Sequence, residues 1–359
     1  MKLGLRGKIL LPALGVVAVV TAITTALNYK LNHDTIESNV REEVSMVAEL
    51  VAHELEVWLD DRVGDVRGWA SIHEYVPAVT EGDEAAAGEF REVAERVVEE
   101  RDVYLSINLI NAEGDYVATS DRGSEGISVK DRGYFRRAMA GETVISEVIT
   151  DRATGKPAFV VAAPVREDGE IVGVVSGVVD LEQFSEVNVE SIKLFDSGYV
   201  YIVESNGRVI AHPNHEHVLK MNYRSKFDWG EELLTTKKGY LIYELDGLDK
   251  MAGVAHVKAT GWIVGATAPL DELLAGASRL GNINIALGVG SLVSIALIVT
   301  FILRRTLRPL DEGVAFSRRI AAGDLTADMP VRSDDEIGQL AQAMNTMARG
   351  LRDAIGRIA

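Results

Sequence analysis

The chain has 359 residues, 37 basic against 54 acidic, a formal net charge of −17 and no cysteine. That length allows two or three domains. The acidity excludes a nucleic-acid partner, since a surface of that sign repels phosphate. The missing cysteines exclude disulfides, thiol catalysis and thiolate metal sites.

An uncharged run, ILLPALGVVAVVTAITTAL, fills residues 9–27 behind Lys2, Arg6 and Lys8. It is long enough to span a bilayer as a helix. The alternative is a cleaved signal peptide, with Thr24 and Ala26 as the small residues before the cut. A second uncharged run, residues 282–303, is followed at once by Arg304, Arg305 and Arg308. Its length and arginine stop favour a second span over a buried core helix. Both basic flanks face away from the centre of the chain. The positive-inside rule therefore places residues 1–8 and 304–359 in the cytoplasm and residues 28–281 outside. The outside segment holds 25 basic and 46 acidic residues, so the acidity belongs to the exported part.

Residues 31–75 read as one long helix. Val40, Val44, Val47, Val51, Leu55 and Trp58 recur at spacings of three and four, a narrow apolar stripe among acids. The stripe can bury against the domain's own sheet or against a second copy of the helix. A shorter helix is expected at 84–100. From residue 103 the pattern changes to strands. VYLSINLINAEGDYVATS alternates apolar and polar residues on both sides of a turn, as a hairpin does. Next comes KDRGYFRRA, residues 130–138, where four of nine residues are basic. Strands then alternate with the turns DRATGKP and REDG up to residue 180. The pattern recurs: residues 108–121 resemble 201–214, and 169–184 resemble 260–274. This is one sheet module written twice, at 103–185 and 195–275. His212, His215 and His217 fall in AHPNHEH, a polar turn of the second module. One turn seldom supplies converging metal ligands, so no metal site is expected there.

After the second apolar run, two helical stretches flank a Gly-Asp connector. In the last one Ile337, Leu340, Met344, Met347, Leu351, Ala354 and Ile358 form a heptad seam. A helix with such a seam must pair, with the preceding helix and with a symmetry mate. All seven histidines lie outside the membrane. No nucleotide-binding glycine loop and no catalytic constellation stands out, so neither enzymatic activity nor a cofactor is expected.

A long helix, two tandem sheet modules and two flanking apolar spans resemble the double-Cache sensor domain of bacterial chemoreceptors and sensor kinases. The most specific stretch is DRGYFRRAMAG…VITDRATGKPAFVVAAPV…GEIVGVVSGVVDL. Residues 304–359 resemble the HAMP domain, a parallel four-helix bundle of two chains, through Pro309, Gly323 to Leu325, DEIG at 335–338, Asn345 and Met347. The resemblance implies an α+β fold. It comprises a long N-terminal helix, two tandem PAS-like antiparallel-sheet modules, two transmembrane helices and a C-terminal HAMP coiled coil. It also implies a homodimeric receptor in a bacterial inner membrane, with cytoplasmic signalling partners reached through an output module beyond residue 359. A histidine kinase or cyclase input and a non-sensory surface protein are the rival readings.

The family resemblance also implies a ligand site in the membrane-distal module. An arginine followed two and three residues later by aromatics holds a ligand carboxylate; Arg132, Tyr134 and Phe135 match. Aspartates before the TG turn and at the end of the last strand hold an ammonium; Asp151 and Asp180 match. Ile127 and Ile149 stand where amino-acid-binding members have tyrosines, and Tyr134–Phe135 replace Trp–Tyr. The small-molecule ligand is thus an amino acid, another amine, a carboxylate or a sulfonate. Arg136 and Arg137 read as a solvated helix face.

Overall fold

The computed structural model describes residues 5–356, which divide into a sensor unit, Thr35–Gly276, and a second unit formed by residues 5–34 with 277–356. Helix α1, Leu5–Ala70, runs through both. Neither glycine nor proline interrupts it between Val16 and Val63, so every backbone donor there keeps its acceptor one turn away. Short α2, Val76–Thr80, and α3, Glu84–Glu100, follow. Asp83 caps α3 by accepting from the Ala85 and Ala86 amides.

The first module, labelled distal because it lies farther in sequence from the second apolar run, contains β1 (Tyr104–Asn111), β2 (Tyr116–Thr119), α4 (Gly133–Met139), β3 (Val144–Ile145), β4 (Ile149–Thr150), β5 (Pro157–Glu167) and β6 (Glu170–Asp180). Helix α5, Leu181–Ser185, leads out of it. The proximal module contains β7 (Lys193–Leu194), β8 (Gly198–Val203), β9 (Val209–Ala211), α6 (Tyr223–Lys226), α7 (Gly230–Thr235), β10 (Lys238–Leu245), β11 (Leu248–Val257) and β12 (Trp262–Pro269). The distal order is β2-β1-β6-β5-β3, with β4 also on β5. The proximal order is β10-β11-β12-β8-β7, with β9 also on β8. In both, an opening hairpin takes the last strand beside its first strand, and the penultimate strand comes next. The sequence repeat is therefore a repeat of topology.

Strand alternation gives each sheet two faces. One face of both sheets packs on α1 in a single core that includes Ala48, Val51, Leu55 and Leu59. Trp58, Phe159, Phe184 and Trp262 meet inside it, ring centres 5.2–6.4 Å apart in edge-on or tilted contacts. The α1 stripe thus buries against the domain's own sheets. Met46, Leu50 and Val57, on another side of the helix, remain exposed. Gly253 permits the closest approach, because a Cβ there would lie 1.9 Å from the Val44 carbonyl oxygen. The outer face of each sheet carries its own cluster, built on Tyr116, Tyr134 and Phe135 in the distal copy and on Tyr201, Tyr223 and Tyr243 in the proximal one.

In the second unit, the early part of α1 and the early part of α8 (Leu270–Ala321) are long and apolar enough to cross a membrane. They run side by side; Gly281 faces the Tyr29 ring and Gly288 faces Thr25. Helix α8 continues through Pro309, and α9, Glu336–Gly356, follows a connector. The α9 helix carries two apolar stripes rather than one seam. Ala341, Met344 and Ala348 pack within the chain on Phe316, Ala327 and Met329. Leu340, Met347 and Leu351 stay exposed. Asn345 clips the connector to α9, accepting from the Met329 amide and donating to its carbonyl, each at 2.7 Å. Ile358 and the side chain of Ala354, the last seam positions, lie outside the described residues.

Candidate functional site

The distal outer face brings the α4 N-terminus against the turn between β4 and β5. Arg152 makes that junction: its guanidinium bonds both carboxylate oxygens of Asp131, at 3.0 and 2.8 Å, and also donates to the Ser128 carbonyl. This fork holds the Asp131 carboxyl below its usual range. Arg132 is half-buried and donates through Nη2 to the Thr150 carbonyl at 3.0 Å. Tyr134 and Phe135 are buried in the outer cluster. The Tyr134 hydroxyl interacts electrostatically with that of Tyr116. Burial pushes both phenols up, Tyr134 well above the ordinary value, and the charges of Arg132 and Asp151 reach both.

Asp151 is buried and accepts from the amide and the hydroxyl of Thr154, each at 2.8 Å, through Oδ2. Asp180 is buried too, but its oxygens are engaged elsewhere. Oδ1 caps α5 through the Glu182 amide at 2.9 Å, and Oδ2 accepts from Lys156 Nζ at 3.1 Å. Arg132, Tyr134 and Asp151 therefore share one locality, with Phe135 in the adjoining cluster and Asp180 committed to Lys156.

Sequence reasoning missed Tyr116, Arg152 and Lys156. It also missed a buried polar network on the same sheet face. Asn108 accepts from the Thr119 hydroxyl at 2.6 Å and donates to the Ser106 and Ser176 hydroxyls at 3.1 and 3.4 Å. One signal was available: Ser106 and Asn108 alternate with apolar residues in YLSINLIN, which puts two polar side chains on a face expected to be buried.

Arg136 and Arg137 are exposed, and Arg137 pairs with Glu142 at 2.8 Å. The histidine turn needs correcting. His215 is exposed and lies 3.4 Å from Glu190, whereas His212 and His217 are buried. They fold inward because the turn after β9 packs over the aromatic face of the proximal sheet. Among the described residues, no group of three or more acids and histidines could hold a metal ion.

Two like sheets strung on one long helix, with charged and hydroxyl groups at the outer face of the first, define a tandem sensor domain. The chain belongs to the Cache domain family, whose double form matches residues 32–277, and a HAMP domain matches residues 301–353. The methyl-accepting chemotaxis protein TlpB of Bacillus subtilis is 30% identical over 239 residues, 65% of this chain and 34% of that protein. McpA of Pseudomonas putida is 27% identical over 367 residues, 100% of this chain and 55% of that protein. The chain thus spans between about a third and about half of the curated relatives it matches. The ligand-binding domain of the Pseudomonas fluorescens chemoreceptor CtaA, in complex with L-isoleucine, superposes with a TM-score of 0.54 at 17% identity, covering 67% of this chain and 97% of that one. The extracellular domain of the putative histidine kinase mmHK1S-Z3 gives 0.55 at 17%, covering 67% and 98%. At these identities the superpositions show the fold.

Proposed function

We propose that this chain is the sensing part of a methyl-accepting chemotaxis receptor that binds a small zwitterion, an amino acid or a close analogue, in its distal module. The apolar helices anchor it in a bacterial inner membrane, with the sensor outside and the HAMP domain in the cytoplasm. The observation that carries the ligand reading is the juxtaposition of half-buried Arg132 with buried Asp151 beside two buried tyrosine hydroxyls. A guanidinium presents a planar fork to a carboxylate, and aromatic walls exclude the water that would screen it. Asp151 faces the ligand's ammonium at the other pole. Asp180 joins it by exchanging Lys156 for the ligand. Chemoreceptor relatives, and the CtaA domain bound to L-isoleucine, support this reading.

The test is calorimetry on the full chain in lipid nanodiscs, after a thermal-shift screen of amino acids, amines and carboxylates. Arg132→Ala is expected to weaken binding by about 2–5 kcal/mol, since it leaves a desolvated ligand charge uncompensated. Arg132→Lys recovers part of that, and Asp180→Asn weakens a zwitterion more than a plain carboxylate. Arg136→Ala is the control. Parent-like binding by Arg132→Ala together with loss in Arg136→Ala would overturn the site.

The input half of a histidine kinase is the second reading, favoured by the likeness to the mmHK1S-Z3 domain. The coding sequence downstream of residue 359 separates the two. A phosphoacceptor histidine with a nucleotide-binding domain there would replace the chemoreceptor reading.

A further inference from the structure

The outer face of the proximal sheet buries a second set of polar groups. Lys250, near the start of β11, is 6% exposed and has no carboxylate within ion-pair distance among the described residues. Its ammonium donates to the Tyr199 hydroxyl at 3.0 Å and lies 4.9 Å from the centre of that ring. Register places Lys250 opposite Tyr243 on β10, and Tyr199 opposite Thr267 on β12. Above this floor, His212 and His217 turn inward with ring centres 4.4 Å apart, and His212 lies 4.8 Å from the Tyr199 ring. Tyr223, at the start of α6, packs edge-on against Tyr201 at 5.5 Å.

Four buried polar atoms here lack a hydrogen-bond partner among the described residues: His212 Nε2, His217 Nδ1 and the hydroxyls of Tyr201 and Tyr223. Elsewhere in those residues only Arg41 Nε and the Tyr104 hydroxyl share that condition, so the orphaned groups concentrate in this one cluster. Buried polar atoms are almost always bonded, and a buried ammonium favours a counter-charge. Asp246, whose charge reaches Lys250 and His217, is exposed at the β10–β11 turn and does not fill the place. The groups that remain are all able to donate: an ammonium, two phenols and two imidazoles. A small oxyanion is the complement of that set.

We propose that the proximal module holds a second binding site, for a small monocarboxylate held by Lys250 and bonded by the orphaned hydroxyl and imidazole groups. The site is the second copy's counterpart of the distal one. Tyr223 opens α6 as Tyr134 lies in the first turn of α4, and Lys250 lies near the start of β11 as Lys156 precedes β5. Occupancy here acts close to the outgoing helix, because the register partner of Lys250 is Pro269, the last residue before α8.

The full chain in nanodiscs is titrated with acetate, propionate and L-lactate by calorimetry, with chloride and inorganic phosphate alongside. Saturable binding of at least one carboxylate, in preference to chloride and phosphate, is expected. Lys250→Met should weaken it by more than about tenfold and Tyr223→Phe by roughly three- to tenfold. Removing an orphaned hydroxyl should leave the ligand-free melting temperature equal or higher, so Tyr223→Phe remains informative if Lys250→Met misfolds. Absence of binding by all three carboxylates, a preference for phosphate or chloride, or parent-like affinity in both variants overturns the proposal. Binding lost in Arg132→Ala but kept in Lys250→Met places the carboxylate in the distal module and overturns it too. The distal reading is judged separately, by amino-acid binding and its dependence on Arg132.

Discussion

Ionisable side chains distinguish the outer faces of the two modules residue by residue. On the outer face of the distal copy, charges are paired across elements: exposed Asp131 with Arg152, and buried Asp180 with Lys156. In the proximal copy, burial pushes His212 down to about 3, helped by the positive neighbours His217 and Lys250, and lowers His217 as well. An unfolded chain protonates these imidazoles near the ordinary value of about 6.5, while the folded chain keeps His212 neutral until about 3. Their contribution to stability is therefore complete above about pH 6.5 and is lost as the pH falls from there towards 3. The melting temperature of the full chain should drop between pH 7 and 4.5, and His212→Gln should flatten that slope. An unchanged slope in the His212→Gln, His217→Gln double variant would show that other groups carry the acid sensitivity.

Between elements, the most consequential contact joins the two modules. Glu204, at the end of the proximal hairpin's first strand, is 3% exposed. It accepts from the Val148 amide of the distal module at 2.8 Å and pairs with Arg208 at 2.7 Å. Arg208 in turn donates to the Val148 carbonyl at 2.6 Å. The segment between β3 and β4 is thereby clipped through both backbone polar groups of one residue, Val148. It lies directly before the turn that carries Asp151, so the clip ties the proposed distal pocket to the proximal sheet. Glu204→Ala removes one partner of a buried charged network and should cost about 2–3 kcal/mol. Faster amide exchange at residues 146–150 is expected with it. Unchanged exchange there would mean that the shared aromatic core alone holds the modules together.

For the whole molecule, uncovered apolar surface bears on association. Two helices expose apolar stripes: Met46, Leu50 and Val57 on α1, and Leu340, Met347 and Leu351 on α9. A further copy of the chain is the proposed cover, paired in parallel as in a HAMP bundle. The absence of cysteine makes the test free of background. Single cysteines at Leu340 or Met347 should cross-link between chains in membranes, and those at Gln342 or Arg349 much less. Equal yields at all four positions would refute a specific parallel seam.

The sequence alone determined the main elements and their order, but not the short helices α2, α5, α6 and α7. Helical periodicity in α1, hairpin alternation from residue 103, the repeated module and the connector before α9 are all local patterns, set by spacings of two, three and four residues. It also singled out Arg132, Tyr134 and Asp151, because each belongs to a short contiguous motif. Only the tertiary structure decided which partners those residues meet. That Asp180 is held by Lys156, that Tyr134 meets Tyr116, and that His212 and His217 are buried under a turn of polar appearance depends on long-range strand order and on which sheet face points inward. The α1 stripe shows the same division. Its spacing announced a buried face, but the choice between the chain's own sheets and a second helix rested on the close approach that Gly253 allows, two hundred residues away in the chain.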